Sequence, residues 1–244
     1  MQMQDLRARL YASYVSSGQA IGATSSHAEP VGAGARAYYR RIIRRHLPVD
    51  RNVRIVDLAC GHGALIHCLK ECGYLDVRGC DLSPQQVELA HSLGVKEVEL
   101  MEMRQALKSS AQGFDVAFLM DVLEHLYKKE LLDVLDDVHA GLVSGGTVVI
   151  HVPNAEGLHG MRIRYGDLTH ELCFTQESIR QALQICGFSG IRCFEEKPVV
   201  RNLSSLIRRV LWDGLTLPAR LRLLAETGVS GHILSQNLLV TARK

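Results

Sequence analysis

The stretch "RIVDLACGHGALIHCLK", residues 54–70, constrains the fold more than any other. A short apolar run ends at Asp57-Leu58-Ala59, turns through Gly61 and Gly63, and passes at once into a helical pattern. A strand that enters a helix through a glycine turn is the opening half of a βαβ unit. The rest of the chain repeats the alternation. "DVRGCD", "VKEVELM", "FDVAFLM", "GTVVIHVP", "GIRCFEE" and the end of "HILSQNLLVTARK" read as strands. "LSPQQVELAHSLG", "KKELLDVLDDVHAGL" and "TQESIRQALQICGF" read as helices between them. Ser83 is placed as an N-cap, with Pro84 at the first helical position and Gln86 closing a capping box, and Gly73 suits the C-terminal end of the preceding helix. Leu131, Val134, Leu135, Val138 and Leu142 share one helix face. Alternation of this kind predicts a doubly wound α/β fold with a parallel sheet and helices on both faces. Ligands of such sheets bind beyond the carboxyl ends of the strands.

Composition narrows the class. The chain has 244 residues, 47% hydrophobic and 22% charged, which suits one α/β domain with a full core. A net charge of +2 is too small to imply nucleic acid. Seven scattered cysteines form no zinc spacing and read as reduced thiols, so a cytoplasmic location is expected. "MQMQDLRARL" lacks the apolar run of a signal peptide. Residues 1–35 read as an accessory or lid segment, and 36–244 as the main domain. "RAYYRRIIRRHLP" reads as a helix with a solvated basic face, stopped by Pro48. Residues 199–228 read as an insert of two short amphipathic helices split near Pro218, a cap over the pocket or a docking element for a membrane surface or a second subunit.

The glycine turn does not suit a dinucleotide. The third glycine of G-x-G-x-x-G would fall at Ile66, and no Lys-Ser/Thr follows for a P-loop. Asp81 ends the second strand, where a carboxylate can accept hydrogen bonds from ribose hydroxyls. A ligand with a ribose and no phosphate in the turn fits. "VDLACGHGAL", "GCDLSPQQVELA" and "FDVAFLMDVLEHL" together resemble the successive signatures of class I S-adenosylmethionine-dependent methyltransferases. The resemblance implies a seven-stranded, mostly parallel Rossmann-like sheet with an antiparallel last strand, and S-adenosylmethionine as cofactor with S-adenosylhomocysteine as product. It implies that the loop from Asp57 through Ala59 and Gly61 to Gly63 surrounds the methionine part, with Ala59 where the family often has glycine. Asp81 would bind the ribose and Leu82 would pack on the adenine. By the same resemblance Glu102 and Met103 would stand beside the adenine, where Asp-Ala is commoner, and Met120 and Asp121 would face the reactive end.

An alcohol acceptor needs a base, for which histidine is suited. The long segment 151–175 leaves the carboxyl end of a strand and carries Asn154, Arg162, Arg164, Tyr165, Asp167 and Glu171 as candidate acceptor contacts. His170 is the first candidate base, oriented by Asp167 or Glu171, and His125 the second. Tyr11 and Tyr14 lie where related enzymes place a lid. Asp121 and Asn154 find no convincing third oxygen ligand, so a metal-independent reaction is expected. "RIRYGDLTHELCFT" resembles bacterial methyltransferases of surface polysaccharides and sugars, which implies O-methylation of a small polar or glycan acceptor. The alternatives are a phenol or quinone hydroxyl, and a cofactor-binding regulator without turnover.

Overall fold

The computed structural model describes residues 30–244, so the expectations for Tyr11 and Tyr14 lie outside the described residues. Helix α1 (Ala33–His46) precedes strand β1 (Ile55–Leu58). There follow α2 (Ala64–Glu71), β2 (Val77–Asp81), α3 (Pro84–Ser92), β3 (Val98–Leu100), α4 (Met103–Lys108) and β4 (Phe114–Met120). After a 3-10 turn (Leu123–His125) come α5 (Lys128–Gly141), β5 (Leu142–Pro153), α6 (Gly160–Arg164), α7 (Gln176–Ile185), β6 (Ser189–Glu195), α8 (Leu203–Thr227) and β7 (Asn237–Arg243).

The strands form one seven-stranded sheet in the order β3-β2-β1-β4-β5-β7-β6. Strands β1 to β5 pair in parallel, whereas β7 runs antiparallel to both β5 and β6. Strand order reverses between β1 and β4, which opens a crevice at their carboxyl ends. The sheet is buried on both sides because successive strand residues face opposite ways. Ala117 and Leu119 of β4 join α5 and α7 in one core, while Val116 and Phe118 join α1, α2 and α3 in the other.

Local signals act as the sequence suggests. Ser83 Oγ accepts the Gln86 backbone N–H with Pro84 in the first turn. The Gln86 side chain makes no reciprocal bond, and its Oε1 is buried without a partner. Gly73 takes φ +88° just past α2, where its N–H bonds back to Lys70 O.

The insert departs from expectation. It is one 25-residue helix, α8, with Pro218 inside it. Proline removes one helical hydrogen bond and usually breaks a helix. Here anchors on either side hold the run together. Thr216 is buried before the proline, and Arg220 after it bonds Glu195 at 2.5 Å and His232 O at 2.8 Å.

Candidate cofactor and acceptor site

The first wall is the glycine turn. Ala59 takes φ +55° and Gly61 φ +55°, both left-handed. A non-glycine residue there costs roughly 1–2 kcal/mol, so Ala59 is strained where the family often has glycine. Gly63 has φ +77°, but its role is not the expected one. A Cβ on it would stand 2.8 Å from Val95 Cγ1 and 2.9 Å from Val98 Cγ2. Gly63 lets the turn seat on the α3–β3 connection and β3, so a side chain there would strike protein rather than fill the ligand's space. A Cβ on Gly61 would meet only the Gln86 side chain, Oε1 at 3.7 Å and Cδ at 3.9 Å.

Asp81 braces this turn from β2. Its Oδ2 accepts the Gly61 N–H and its Oδ1 the Ser83 N–H, both at 2.8 Å. Burial raises its pKa, and these backbone hydrogen bonds oppose the rise. Each oxygen keeps a lone pair for a ribose hydroxyl. Leu82, beside it, is exposed and offers an apolar face. Glu102 differs from expectation in that its carboxylate caps α4, accepting the Gln105 N–H at 3.1 Å, while Met103 packs on the core.

Asp57 ends β1 beneath the turn and is almost wholly buried. Its Oδ1 has no hydrogen-bond partner among the described residues. Burial and then the Asp81 charge push its pKa up to about 8. Asp57 Oδ1 and Gln86 Oε1 are thus two orphaned acceptors in one cradle, with Asp81 beside them. A ligand that brings donors and positive charge is what such a cradle lacks, and the ammonium and ribose of S-adenosylmethionine fit it.

The second wall follows β4 and β5. Asp121 holds φ +57° at the end of β4, with its N–H on His151 O at 3.1 Å. Its Oδ1 accepts His151 Nδ1–H at 2.6 Å, and His151 Nε2–H donates to Glu196 at 2.6 Å. Glu196 also accepts the Tyr38 hydroxyl at 2.7 Å. Burial works against a charge on His151, but Asp121 and Glu196 outweigh it and raise its pKa well above the ordinary value. In turn, burial raises Asp121, while the His151 cation more than reverses this and holds the carboxylate ionised. Sequence reasoning missed His151 and Glu196. The usable signal was a histidine at the carboxyl end of the apolar strand "GTVVIHVP".

The acceptor side is built from two segments. Backbone N–H groups of Glu171 and Leu172 both donate to Glu124 O, at 2.6 and 3.0 Å, which docks the long segment onto the 3-10 turn. The His125 and His170 rings consequently meet edge-on, with centroids 4.8 Å apart. His170 Nδ1 lies 3.0 Å from Ile163 O, and a carbonyl can only accept. The proton therefore sits on Nδ1 and the basic nitrogen of His170 is Nε2. Thr169 Oγ1 donates to Asp167 Oδ1 at 2.7 Å, so it accepts from His125 Nδ1–H at 2.9 Å. Asp167 thus orients His125 through Thr169, not His170 as expected, and Glu171 is exposed. Burial, then His170, lowers the His125 pKa to about 4.

Asn154 is corrected as an acceptor contact. It is fully buried, and its amide donates to Ile233 O and Ser235 O, both at 2.8 Å, while its Oδ1 accepts the Glu156 N–H at 3.1 Å. Nothing remains for a ligand. Arg164 is spent similarly, donating to the carbonyls of His170 and Glu171, and stacks on the exposed Tyr165 ring. Arg162 and Tyr165 face solvent. One group of side chains among the described residues could hold a cation: ligand atoms of Glu124, His125 and His170 lie within 4.8 Å of one another. This group includes neither Asp121 nor Asn154, the pair for which the sequence offered no third ligand. All seven cysteines are free thiols.

The comparisons agree with this geometry. The methyltransferase-domain family Methyltransf_23 matches residues 32–192. No curated protein matches the sequence. A methyltransferase from Archaeoglobus fulgidus has the same fold, at 22% identity and TM-score 0.65 over 86% of this chain and 94% of its own. An S-adenosylmethionine-dependent methyltransferase from Mesorhizobium loti is similar at 23% identity and TM-score 0.56, over 87% of this chain and 99% of its own. A mycolic acid cyclopropane synthase complexed with S-adenosylhomocysteine aligns at 14% identity and TM-score 0.58, covering 85% and 83%. The fold is shared and the named reactions differ, so the likeness does not select an acceptor. With the turn, the Asp57 and Asp81 carboxylates and the strand order in place, the chain belongs to the Methyltransf_23 family of class I S-adenosylmethionine-dependent methyltransferases.

Proposed function

We propose that the enzyme methylates a hydroxyl oxygen of a small polar acceptor, a sugar hydroxyl first, with His170 as the base. The observation that carries this reading is the pair of oriented imidazoles beside Asp121. S-adenosylmethionine supplies, when bound, an electrophilic methyl on a sulfonium. Asp57 and Asp81 would hold its ammonium and ribose, and Asp121 would lie toward its reactive end. His170 presents Nε2 as its basic nitrogen and takes the acceptor's proton. The anionic Asp121 stabilises the imidazolium so formed, and the His151 cation keeps Asp121 ionised and in place. His125 is the weaker base, because its lowered pKa disfavours the protonated form. The two backbone hydrogen bonds to Glu124 O hold the long segment against the 3-10 turn and so fix the two rings relative to each other.

Asp167, tied to the pair through Thr169, is the polar group beside it that suits a polyhydroxylated acceptor, while Arg162 and Tyr165 stand exposed on the same segment. A specific observation favours the phenol or quinone alternative as well: Leu158, Met161 and Leu168 of the same segment are exposed and would cover an apolar ring. Release of S-adenosylhomocysteine from a panel of nucleotide sugars and phenols decides between the two. With the accepted substrate, His170→Ala should lower kcat by about 10²–10⁴ with cofactor affinity unchanged. His170→Gln keeps a donor for Ile163 O and cannot act as a base. A Gln variant as fast as the parent would reduce His170 to a loop anchor and pass the role to His125.

A further inference from the structure

Helix α8 is amphipathic with its faces reversed. Its inward side is polar: Ser205 and Thr216 are buried and Trp212 is half-buried. Its outward side carries Leu203, Ile207, Val210, Leu217, Leu221 and Leu224, all exposed, with Leu203 at 73% and Val210 at 63%. At about 100° per residue, Leu206, Leu211 and Leu215 widen the stripe to roughly half of the helix surface. At about 1.5 Å per residue the stripe from Leu203 to Leu224 is roughly 32 Å long. That is far more contiguous apolar surface than a soluble monomer ordinarily exposes.

Charge says what covers it. Arg208 and Arg222 border the stripe on one side, and no carboxylate among the described residues pairs with either. Just before α8, Val199, Val200 and Arg201 line a cleft whose other wall is Arg36, Arg40 and Arg44 of α1. Helix α1 contains five arginines and no acidic residue; Arg36 and Arg40 share Glu71 and Arg41 reaches Glu196, so Arg44 and Arg45 are the two with no carboxylate partner among the described residues. An apolar stripe adjoining a cationic wall is complementary to an anionic lipid surface. The other occupants fit less well. A helix pair buries a narrow seam, whereas this stripe spans about half the helix and contains Gly214 and Pro218. Residues 1–29 bring Arg7 and Arg9 beside their "LYASYV" run, the same sign as the border of the stripe.

We propose that α8 lies in the headgroup boundary of an anionic membrane, apolar face down, with Arg208, Arg222 and, from α1, Arg44 and Arg45 toward lipid phosphates. No helix among the described residues is long and apolar enough to cross a membrane, so the contact is in-plane. The segment after α8 returns against the acceptor side, where Asn154 holds the carbonyls of Ile233 and Ser235 and His232 Nδ1 lies 3.7 Å from Glu156. Docking through α8 therefore sets the acceptor segment near the lipid surface, an arrangement suited to a lipid-linked acceptor.

The test is co-sedimentation of the full chain with phosphatidylcholine vesicles, with and without phosphatidylserine. The parent should bind the anionic vesicles, bind pure phosphatidylcholine weakly, and lose binding as salt is raised. Val210→Glu with Leu221→Glu, and separately Arg208→Glu with Arg222→Glu, should each weaken binding at least about tenfold. Calorimetric affinity for S-adenosylmethionine, unchanged in both pairs, certifies the fold. Absence of binding to anionic vesicles, equal binding to both vesicle types, or binding that survives the Val210/Leu221 pair overturns the proposal. So does a dimer in light scattering that the same pair splits, which would make a second copy the occupant.

Discussion

Asp57→Asn isolates what the cofactor cradle does to the fold. In the folded protein the Asp57 carboxyl titrates at about 8, against 3.8 ordinarily, first because it is buried and second because Asp81 is near. A folded value above the unfolded one means that the folded state holds the proton more tightly. The contribution is complete below about pH 3.8 and is lost as pH rises toward about 8. At about 1.36 kcal/mol per pKa unit, ionising the unfolded chain at pH 7 while the folded one keeps its proton costs on the order of 4 kcal/mol. Asparagine has no proton to lose and nearly the same shape. Urea unfolding without cofactor should show the Asn variant gaining on the parent from about pH 4 to about pH 8, by several kcal/mol at the upper end. Cofactor affinity should move the other way, because the amide cannot neutralise an ammonium. In the parent, binding at pH 7 should release a proton, seen as calorimetric heat that depends on the buffer, and the variant should release none. A stability gap that is flat with pH would refute the reasoning. So would an Asn variant that binds S-adenosylmethionine like the parent.

Asp81→Ala should weaken cofactor binding through two lost charge-assisted hydrogen bonds, about 1.5–3 kcal/mol each, and also loosen the turn by stranding the Gly61 and Ser83 N–H groups. Asp81→Asn, which can keep one acceptor for the turn, should fall between the two in calorimetry and in urea unfolding. Asn154→Ala should destabilise the fold by about 2–4 kcal/mol in urea unfolding, since two buried hydrogen bonds and one part-buried one go with it, and leave cofactor affinity unchanged. Turnover should survive EDTA, whereas a loss restored by a divalent ion would turn Glu124, His125 and His170 into a metal site.

Short-range chemistry was legible in the sequence. The strand and helix alternation, the Ser83 cap, Gly73 past α2 and the carboxylates ending β1 and β2 depend on residues a few places apart. Those interactions write the fold and the cofactor edge into local patterns. The occupancy of each polar group was not legible, because its partners come from distant segments. Asn154 looked like a ligand contact until the carbonyls of Ile233 and Ser235 consumed its amide. Gly63 looked like a ligand approach until Val95 and Val98 stood where its side chain would go. His151 drew no notice until Asp121 and Glu196 closed on it from two other strand ends. The pattern of residues 199–228 announced two short amphipathic helices split near Pro218, but periodicity carries no sign for inside and outside. Only packing of the polar face of α8 against the body, which also carried the helix through Pro218, decided that the apolar face would be turned to solvent.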